Sequence, residues 1–339
     1  LRAGGIHRRG FGVLGGCGRA GFGGLGEVEC GMDEEAITTY RALMDQGLTH
    51  REVRQLVRRG EVRRIRHGGY LVGPETIPAT PDQVHRRLAL ATWSELAEGA
   101  VLSHYSAAVL HGLPLLGEGL DRAWVTRASG GHGRRDSVLH LRRCPLGPDE
   151  VTQAQGVQVT TPSRTVIDLA RTASFEQAVV VADAALRIGV TYQDLADGLE
   201  RAKGLPGVGQ ARRVLAFADG RAESPWESIS RVRMAQVGLP APQLQCVIRT
   251  AGGEFVARGD FGWTAERTIG EFDGKVKYAD LLKPGQTAAD VVIREKRREG
   301  QIRAQGWWPV RWGAAELANP QRFERLIRNA FAASLGRAA

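Results

Sequence analysis

The sequence predicts a multidomain protein of mixed α+β and α/β class: a small winged helix-turn-helix, an α+β middle domain, and a carboxyl-terminal domain in which helices and strands alternate. Three observations predict it. The chain has 339 residues, 42% of them hydrophobic, enough to build cores for two or three domains and too apolar for a disordered protein. A capped, arginine-rich helical pattern near residue 50 runs directly into two short strand-like runs. Near the other end, two apolar-polar runs, Glu254–Trp263 and Thr268–Asp273, flank the short polar stretch Thr264–Arg267 as an antiparallel hairpin does.

Residues 1–31 are Gly-rich and lack hydrophobic periodicity, and Met32 stands where helical patterning begins. They read as a disordered leader or as translated sequence upstream of the true start. Gly21–Gly26 spells GxGxxG, but no strand precedes it and no βαβ unit follows, so the dinucleotide reading fails. Val13–Cys17 has the look of a lipoprotein cleavage site without the apolar stretch that must precede one. Cys17, Cys30, Cys144 and Cys246 show no repeated spacing, which indicates neither a zinc knuckle nor a disulfide framework and fits a reducing cytoplasm. The longest apolar run, Ala178–Leu186, falls well short of the roughly 18 residues of a membrane span.

Residues 33–73 read as a three-helix-and-wing unit. A first helix runs from Asp33 through Met44, and Gln46-Gly47 turns the chain. A second helix, His50–Arg59, starts at Thr49, with Glu52 three residues on completing a capping box. Val53, Leu56 and Val57 take core spacing and Gly60 closes the helix. Val62, Ile65, Tyr70 and Leu71 then flank a His67-Gly68-Gly69 turn, a two-stranded wing. Residues 41–72 hold eight Arg against Asp45, Glu52 and Glu61. Arginine makes both phosphate contacts and bidentate guanine contacts, so Arg51, Arg54, Arg58, Arg63, Arg64, Arg66 and His67 are candidate contacts to double-stranded DNA. The alternative is a protein-contact module whose arginines are merely solvated. Across the chain, 46 Lys and Arg against 37 Asp and Glu give a formal charge of +9, which favours polyanionic partners or reflects an Arg-rich solvated surface.

Residues 80–218 read as the α+β middle domain. Thr80-Pro81 opens a helix toward Ala97, and Ser103–His111 forms another that Gly112 ends. Strand-like runs follow at Ala123–Thr126, Val138–Arg142 and Val157–Thr160, and helices dominate from Pro162 to about Ala218. His104 and His111 lie seven apart on one helix with no third ligand nearby in sequence, which points to packing and local hydrogen bonding. Gly204–Gly209 resembles a phosphate loop until Gln210-Ala211 stands where Lys and Ser/Thr belong, leaving an interhelical turn.

Residues 222–335 run helix, strand, hairpin, basic helix, strand, helix. Ser224-Pro225-Trp226-Glu227 opens the first helix, which extends to Gln236; Gln243–Arg249 is a strand; Thr287–Ala304 is a helix bearing Arg294, Lys296, Arg297, Arg298 and Arg303. Trp307–Trp312 is a strand and Asn319-Pro320 caps the last helix. If the hairpin turns about Ala265–Glu266, Asp260 faces Glu271 and Arg258 faces Asp273. Two carboxylates directly opposed on a sheet repel unless a cation or proton separates them, and a hard divalent ion such as Mg²⁺ or Mn²⁺ suits that oxygen-donor pair and accepts phosphate oxygens as well. Glu227 stands either as the N3 residue of a capping box or as an assisting acid, Asp273 either at the site or paired with Arg258. Helix 294–303 is either a phosphate-tracking face or solvated surface, and Trp263, Trp307 and Trp308 are assigned to the core.

Two resemblances follow from these residues. The basic winged helix, then Leu102-Ser-His-Tyr-Ser-Ala-Ala-Val-Leu-His-Gly-Leu113, then Thr161-Pro-Ser-Arg-Thr-Val-Ile-Asp-Leu-Ala170, resembles the AbiEi antitoxin family of bacterial type IV toxin–antitoxin systems over about residues 33–218. That resemblance implies a DNA-binding transcriptional repressor, paired in the family with a nucleotidyltransferase toxin, with DNA contacts on Arg63, Arg64, Arg66 and His67. Asp260, Glu271-Phe-Asp273-Gly274 and Gly306-Trp-Trp-Pro-Val-Arg311 resemble the PD-(D/E)XK nuclease superfamily, in its branch of Vsr-like endonucleases, over about 222–335. This second resemblance implies a restriction-endonuclease-like mixed sheet flanked by helices and Mg²⁺- or Mn²⁺-dependent DNA cleavage. Asp260 and Glu271 would hold the metal, Glu227 would assist, and a basic side chain would sit beside Glu271. The Lys usual two residues after the Glu is Asp273 here, as in the Vsr-like branch. Lys277 stands where that branch often has His, and Lys275 lies nearby.

Overall fold

Ile37, Thr38 and Thr39 are β-branched, and in the computed structural model of the protein Ala36–Thr39 is a strand, β1, rather than part of a helix starting at Asp33. Packing on a pleated surface suits such side chains better than the crowded turn of a helix. Thr39 then accepts the Ala42 N–H at 3.0 Å and caps the short helix α1, Tyr40–Asp45. The structure describes residues 36–72, 79–128, 132–274 and 288–336, so the leader 1–31, Lys275 and Lys277 lie outside the described residues.

Helix α2, His50–Arg58, begins at the predicted box: Thr49 N–H donates to Glu52 Oε2 at 2.8 Å and Glu52 N–H to Thr49 Oγ1 at 3.3 Å. Replacing Thr49 by Ala is expected to lower stability by about 1 kcal/mol, read from the urea midpoint, because it removes the side chain that caps the first turn. Strands β2, Val62–Arg66, and β3, Gly69–Val72, complete a three-stranded antiparallel sheet of order β1-β3-β2. Leu43, Val53, Val62 and Tyr70 form its core with α1 and α2.

Helix α3, Pro81–Trp93, starts at the expected Thr80-Pro81 cap but stops four residues short of Ala97. A six-stranded sheet follows, of order β6-β7-β5-β4-β9-β8. Its strands are β4 Ala100–Leu102, β5 Ala123–Arg127, β6 Arg134–Arg135, β7 Leu139–Arg143, β8 Val151–Ala154 and β9 Val157–Thr160; helix α4, His104–Leu110, lies between β4 and β5. Ala89, Leu102, Ala107, Leu110, Val125 and Val159 pack as its core.

Helices α5 Pro162–Thr172, α6 Phe175–Arg187, α7 Tyr192–Arg201 and α8 Val208–Phe217 come next. The chain divides into two compact units between Thr165 and Val166, inside α5, where the sequence reading sets a boundary near 218–222. Helices α6 to α8 thus share a unit with the carboxyl-terminal sheet. Asp183 on α6 accepts Arg231 Nη1 and Ser228 Oγ from α9, Pro225–Gln236, each at 2.7 Å. Gly204–Gly207 belongs to the turn between α7 and α8, and Val208 and Gly209 open α8. Gly207 sits there at φ +84°, Arg171 Nε donates to Pro206 O, and a Cβ at Gly207 would strike the Arg171 carbonyl.

Strands β10 Gln243–Arg249, β11 Phe255–Trp263, β12 Thr268–Phe272 and β13 Trp308–Trp312 form a four-stranded sheet in that order, antiparallel except for the parallel β12–β13 pair. Helix α10, Ala288–Ala304, crosses between β12 and β13, and α11 Ala314–Leu317 and α12 Pro320–Leu335 follow. One core holds Ile248, Ala257, Ile269 and Ile302; in another, Trp312 packs tilted against Phe261 and edge-on to Phe323. Trp263 is buried as expected, whereas Trp307 and Trp308 are only half-buried beneath the Arg267 and Arg303 guanidiniums. No helix among the described residues is long and apolar enough to cross a membrane.

Candidate functional site

Two groups of side chains stand out, one in each unit. In the first, α2 and the β2–β3 pair wall a concavity of about 390 Å³ lined by Tyr40, His50, Arg54, Arg58, Arg64 and Tyr70. Helical spacing brings Arg54 and Arg58 to one side, since residues four apart share a face. Arg64 comes from the facing strand, where its Nε donates to Arg66 O at 3.2 Å and its Nη2 to His67 Nδ1 at 2.9 Å. The floor is aromatic: Tyr40 packs 5.3 Å from His50 and 6.1 Å from Tyr70, centroid to centroid, and its hydroxyl bonds His50 Nδ1. Arg51 is exposed, while Arg63 and Arg66 are half-buried. An irregularity between Arg64 and Arg66 turns the end of β2 against β3. The structure thus gathers Arg54, Arg58, Arg64 and, through Arg64, His67; it sets Arg51, Arg63 and Arg66 outside that concavity.

The second group lies where β10, β11 and β12 meet the start of α9. The hairpin has the predicted register, with Phe261 opposite Gly270, Gly262 opposite Ile269 and Trp263 opposite Thr268. Regular pairing stops at Phe261, and Asp260 Oδ2 accepts the Phe272 N–H at 2.9 Å in place of a ladder carbonyl. Burial pushes the Asp260 carboxyl up to about 6; the Phe272 N–H opposes the shift, and the nearby Glu227, Glu271 and Glu223 carboxylates add to it. Glu227, 6% exposed, accepts Ser224 Oγ at 2.8 Å, the Glu223 N–H at 2.9 Å and Gln245 Nε2 at 3.0 Å. It is therefore both helix cap and neighbour of the site. Gln245 sits beside Asp260, between the Leu244–Phe261 and Cys246–Gly259 pairs, at φ +52°. Its Oε1 is buried without a hydrogen-bond partner among the described residues. A left-handed glutamine and an orphaned carbonyl both cost energy, and such costs concentrate at working sites.

Glu271 faces α10. Arg298 Nη1 donates to its Oε2 at 3.0 Å and Arg298 Nη2 to its Oε1, a fork on both oxygens, while Arg311 Nε adds a bond to Oε2 at 3.1 Å. Burial would push the Glu271 carboxyl up, but the two guanidiniums prevail and hold it below the usual range. Glu295 accepts Arg311 Nη2 and closes the network. Arg258 does not pair with Asp273; it reaches Glu223 at 2.9 Å, and the Asp273 N–H donates to Trp312 O. Sequence reading missed Gln245 and Arg311. For Arg311 a signal existed, because it is the parallel-ladder partner of Glu271, yet that pairing spans 40 residues.

The raised carboxyl gives the site a pH signature. It holds its proton more tightly in the folded state than in the unfolded chain, so Asp260 costs stability above about pH 6 and that cost fades as pH falls toward its ordinary value. Asp260→Asn is expected to stabilise the protein at pH 7.5, with the advantage over wild type shrinking by pH 5. Urea unfolding at both pH values checks this, and a constant gap contradicts the burial account.

Buried His85 on α3 and half-buried His111 at the end of α4 are each held by hydrogen bonds within the protein. His85 Nδ1 bonds Leu120 O and its Nε2 bonds Ser106 Oγ; His111 Nε2 donates to Thr160 O at 2.7 Å. Among the described residues no group of three or more His, Cys, Asp or Glu is arranged to hold a metal.

No family model matches the chain. It is 34% identical over 161 residues to the uncharacterized proteins MT2308 and Rv2248 of two Mycobacterium tuberculosis strains, covering 43% of this chain. The match spans 59% of the length of those relatives. Among solved structures, the RV2827C protein of Mycobacterium tuberculosis aligns with a TM-score of 0.37 and 16% identity, over 57% of this chain and 74% of that one.

Proposed function

We propose that the protein binds duplex DNA through α2 and the β2–β3 pair and acts as an AbiEi-like transcriptional regulator or antitoxin. The observation that carries this reading is the convergence of Arg54, Arg58 and Arg64 on one groove between a capped helix and a strand pair. The three-stranded sheet β1-β3-β2 beside α1 and α2 supports the winged helix-turn-helix reading, in which a helix presents side chains to the major groove. Guanidiniums on both walls suit phosphates and guanine edges. Under this reading the cognate partner is a nucleotidyltransferase-type toxin. Fluorescence anisotropy with a labelled duplex at 50 and 200 mM salt tests DNA binding. Absent or salt-insensitive binding would leave a protein-contact module.

A second reading gives the carboxyl-terminal unit metal-dependent DNA endonuclease activity in a Vsr-like PD-(D/E)XK fold. It is favoured by the orphaned Gln245 Oε1 and by the crowding of Asp260, Glu227 and Glu271, hard oxygen donors of the kind Mg²⁺ or Mn²⁺ takes. Asp260 and Glu271 would hold the ion, whose chemistry is to polarise a phosphodiester and acidify a bound water. Glu227 fixes Gln245, the Phe272 N–H orients Asp260, and Trp226 stacks on Phe272 at 5.2 Å to hold the rim. Duplex cleavage with Mg²⁺ or Mn²⁺, abolished by Asp260→Ala and by Glu271→Ala, would support this reading. Persistent lack of cleavage leaves a nuclease-like fold that serves only for binding.

A further inference from the structure

We infer that the concavity between α2 and the β2–β3 pair is the site of a small effector, a nucleoside di- or triphosphate, that competes with duplex DNA. The inference rests on the DNA-binding reading and goes beyond it, because it names a second ligand for the same arginines and a way to regulate them. The walls of the concavity carry Arg54, Arg58 and Arg64, all exposed, and none of its lining side chains among the described residues is acidic. Arg54 and Arg58 have no ion-pair or hydrogen-bond partner among the described residues, so both guanidiniums are open to a ligand. Arg64 is tied through Nε to Arg66 O and through Nη2 to His67 Nδ1, which fixes its plane and leaves Nη1 facing outward bonds. Guanidiniums gathered without a carboxylate suit the oxygens of more than one phosphate. The floor is of another kind: Tyr40, His50 and Tyr70 with Val53 and Val57, of which Val57 is 36% exposed. A duplex brings phosphates to the walls but keeps its bases stacked inside, whereas a free base lies on aromatic and apolar side chains. The volume of about 390 Å³ falls within the roughly 300–1,000 Å³ of small-ligand sites. A nucleoside polyphosphate joins a planar ring to several phosphates and so meets floor and walls together. Bound there, it occupies the arginines that a duplex needs and releases the protein from DNA.

Titrating the full-length protein with the fluorescent N-methylanthraniloyl derivative of ATP, with EDTA present so that no metal contributes, tests this. Saturable binding is expected, displaced by ATP, with adenosine and tripolyphosphate each weaker as competitors by about tenfold or more, because each meets only half of the site. Arg54→Ala with Arg58→Ala is expected to weaken nucleotide and duplex alike. Val57→Phe fills the floor and keeps all three arginines, so it is expected to weaken the nucleotide about tenfold while duplex binding keeps its salt slope. His50→Ala removes an exposed ring from the same floor and serves as a second floor variant should Val57→Phe misfold. Anisotropy of a labelled duplex is then expected to show ATP displacing wild type from DNA at a concentration that leaves the floor variant bound. If wild type binds duplex but no nucleotide, or if tripolyphosphate competes as well as ATP, the inference fails and the DNA-binding reading stands. If ATP binds in the expected pattern and no duplex does, the DNA-binding reading fails and takes the competition with it. Binding of neither ligand overturns both.

Discussion

Replacing Arg231 by Ala is expected to destabilise the carboxyl-terminal unit by about 3–5 kcal/mol, the cost of stranding a buried charge. Its partner Asp183 has a side chain only 1% exposed. Burial pushes the Asp183 carboxyl up, and Arg231 with the Asp219 N–H and Ser228 hydroxyl opposes the shift. Arg231 also donates Nη2 to Phe217 O and lies over the Phe217 ring at 4.8 Å, so one truncation opens a charge, a carbonyl and an aromatic face together. Acidification should narrow the deficit, because a protonated Asp183 no longer needs its counter-ion. Urea unfolding at pH 7 and pH 5 measures both effects. The contrast is Arg328→Ala, whose half-buried partner Glu324 lies one helical turn away and whose loss is expected to cost about 0.5 kcal/mol or less. If the two variants are equally stable, the buried pair is not what ties α6 to α9.

The second large effect concerns DNA. Alanine at Arg54, Arg58 and Arg64 together is expected to flatten the salt dependence of duplex binding by about 2.7 in log–log slope, roughly 0.9 for each phosphate that no longer meets a guanidinium. Between 50 and 200 mM salt that slope amounts to about 40-fold in affinity that wild type loses and the variant does not. These three line the groove, so the change should exceed that from three arginines elsewhere, such as Arg322, Arg325 and Arg328 on α12. Anisotropy titrations across that salt range measure it. A triple variant with an unchanged slope would move the interface away from α2 and β2.

These expectations draw on different layers of information. Local signals were legible in the sequence: Thr49 with Glu52, Thr80 with Pro81, Ser224 with Glu227 and Asn319 with Pro320 each open a helix as expected, because a cap and its donors lie within one turn. The hairpin register was legible too, since a short turn fixes which residues meet. The sequence showed acidic residues on both strands and a basic helix beyond them. It did not show that Asp260 would commit an oxygen to the Phe272 N–H, or that Arg258 would turn to Glu223, 35 residues away. Strand β1 was read as helix, because its partner β3 lies some thirty residues on and the β-branched run is only three residues long.

By itself, then, the amino-acid order determined the mixed α/β class of the protein, the helix starts marked by a cap at Thr49, Thr80, Ser224 and Asn319, the turn at residues 264–267 and the supply of arginine and carboxylate. Which guanidinium neutralises which carboxylate was decided only in three dimensions. Arg298 and Arg311 reach Glu271 from 27 and 40 residues away because the parallel β12–β13 pair and the helix between them bring them there. Charges choose partners by distance and desolvation, and neither is fixed by spacing along the chain until the sheet has closed.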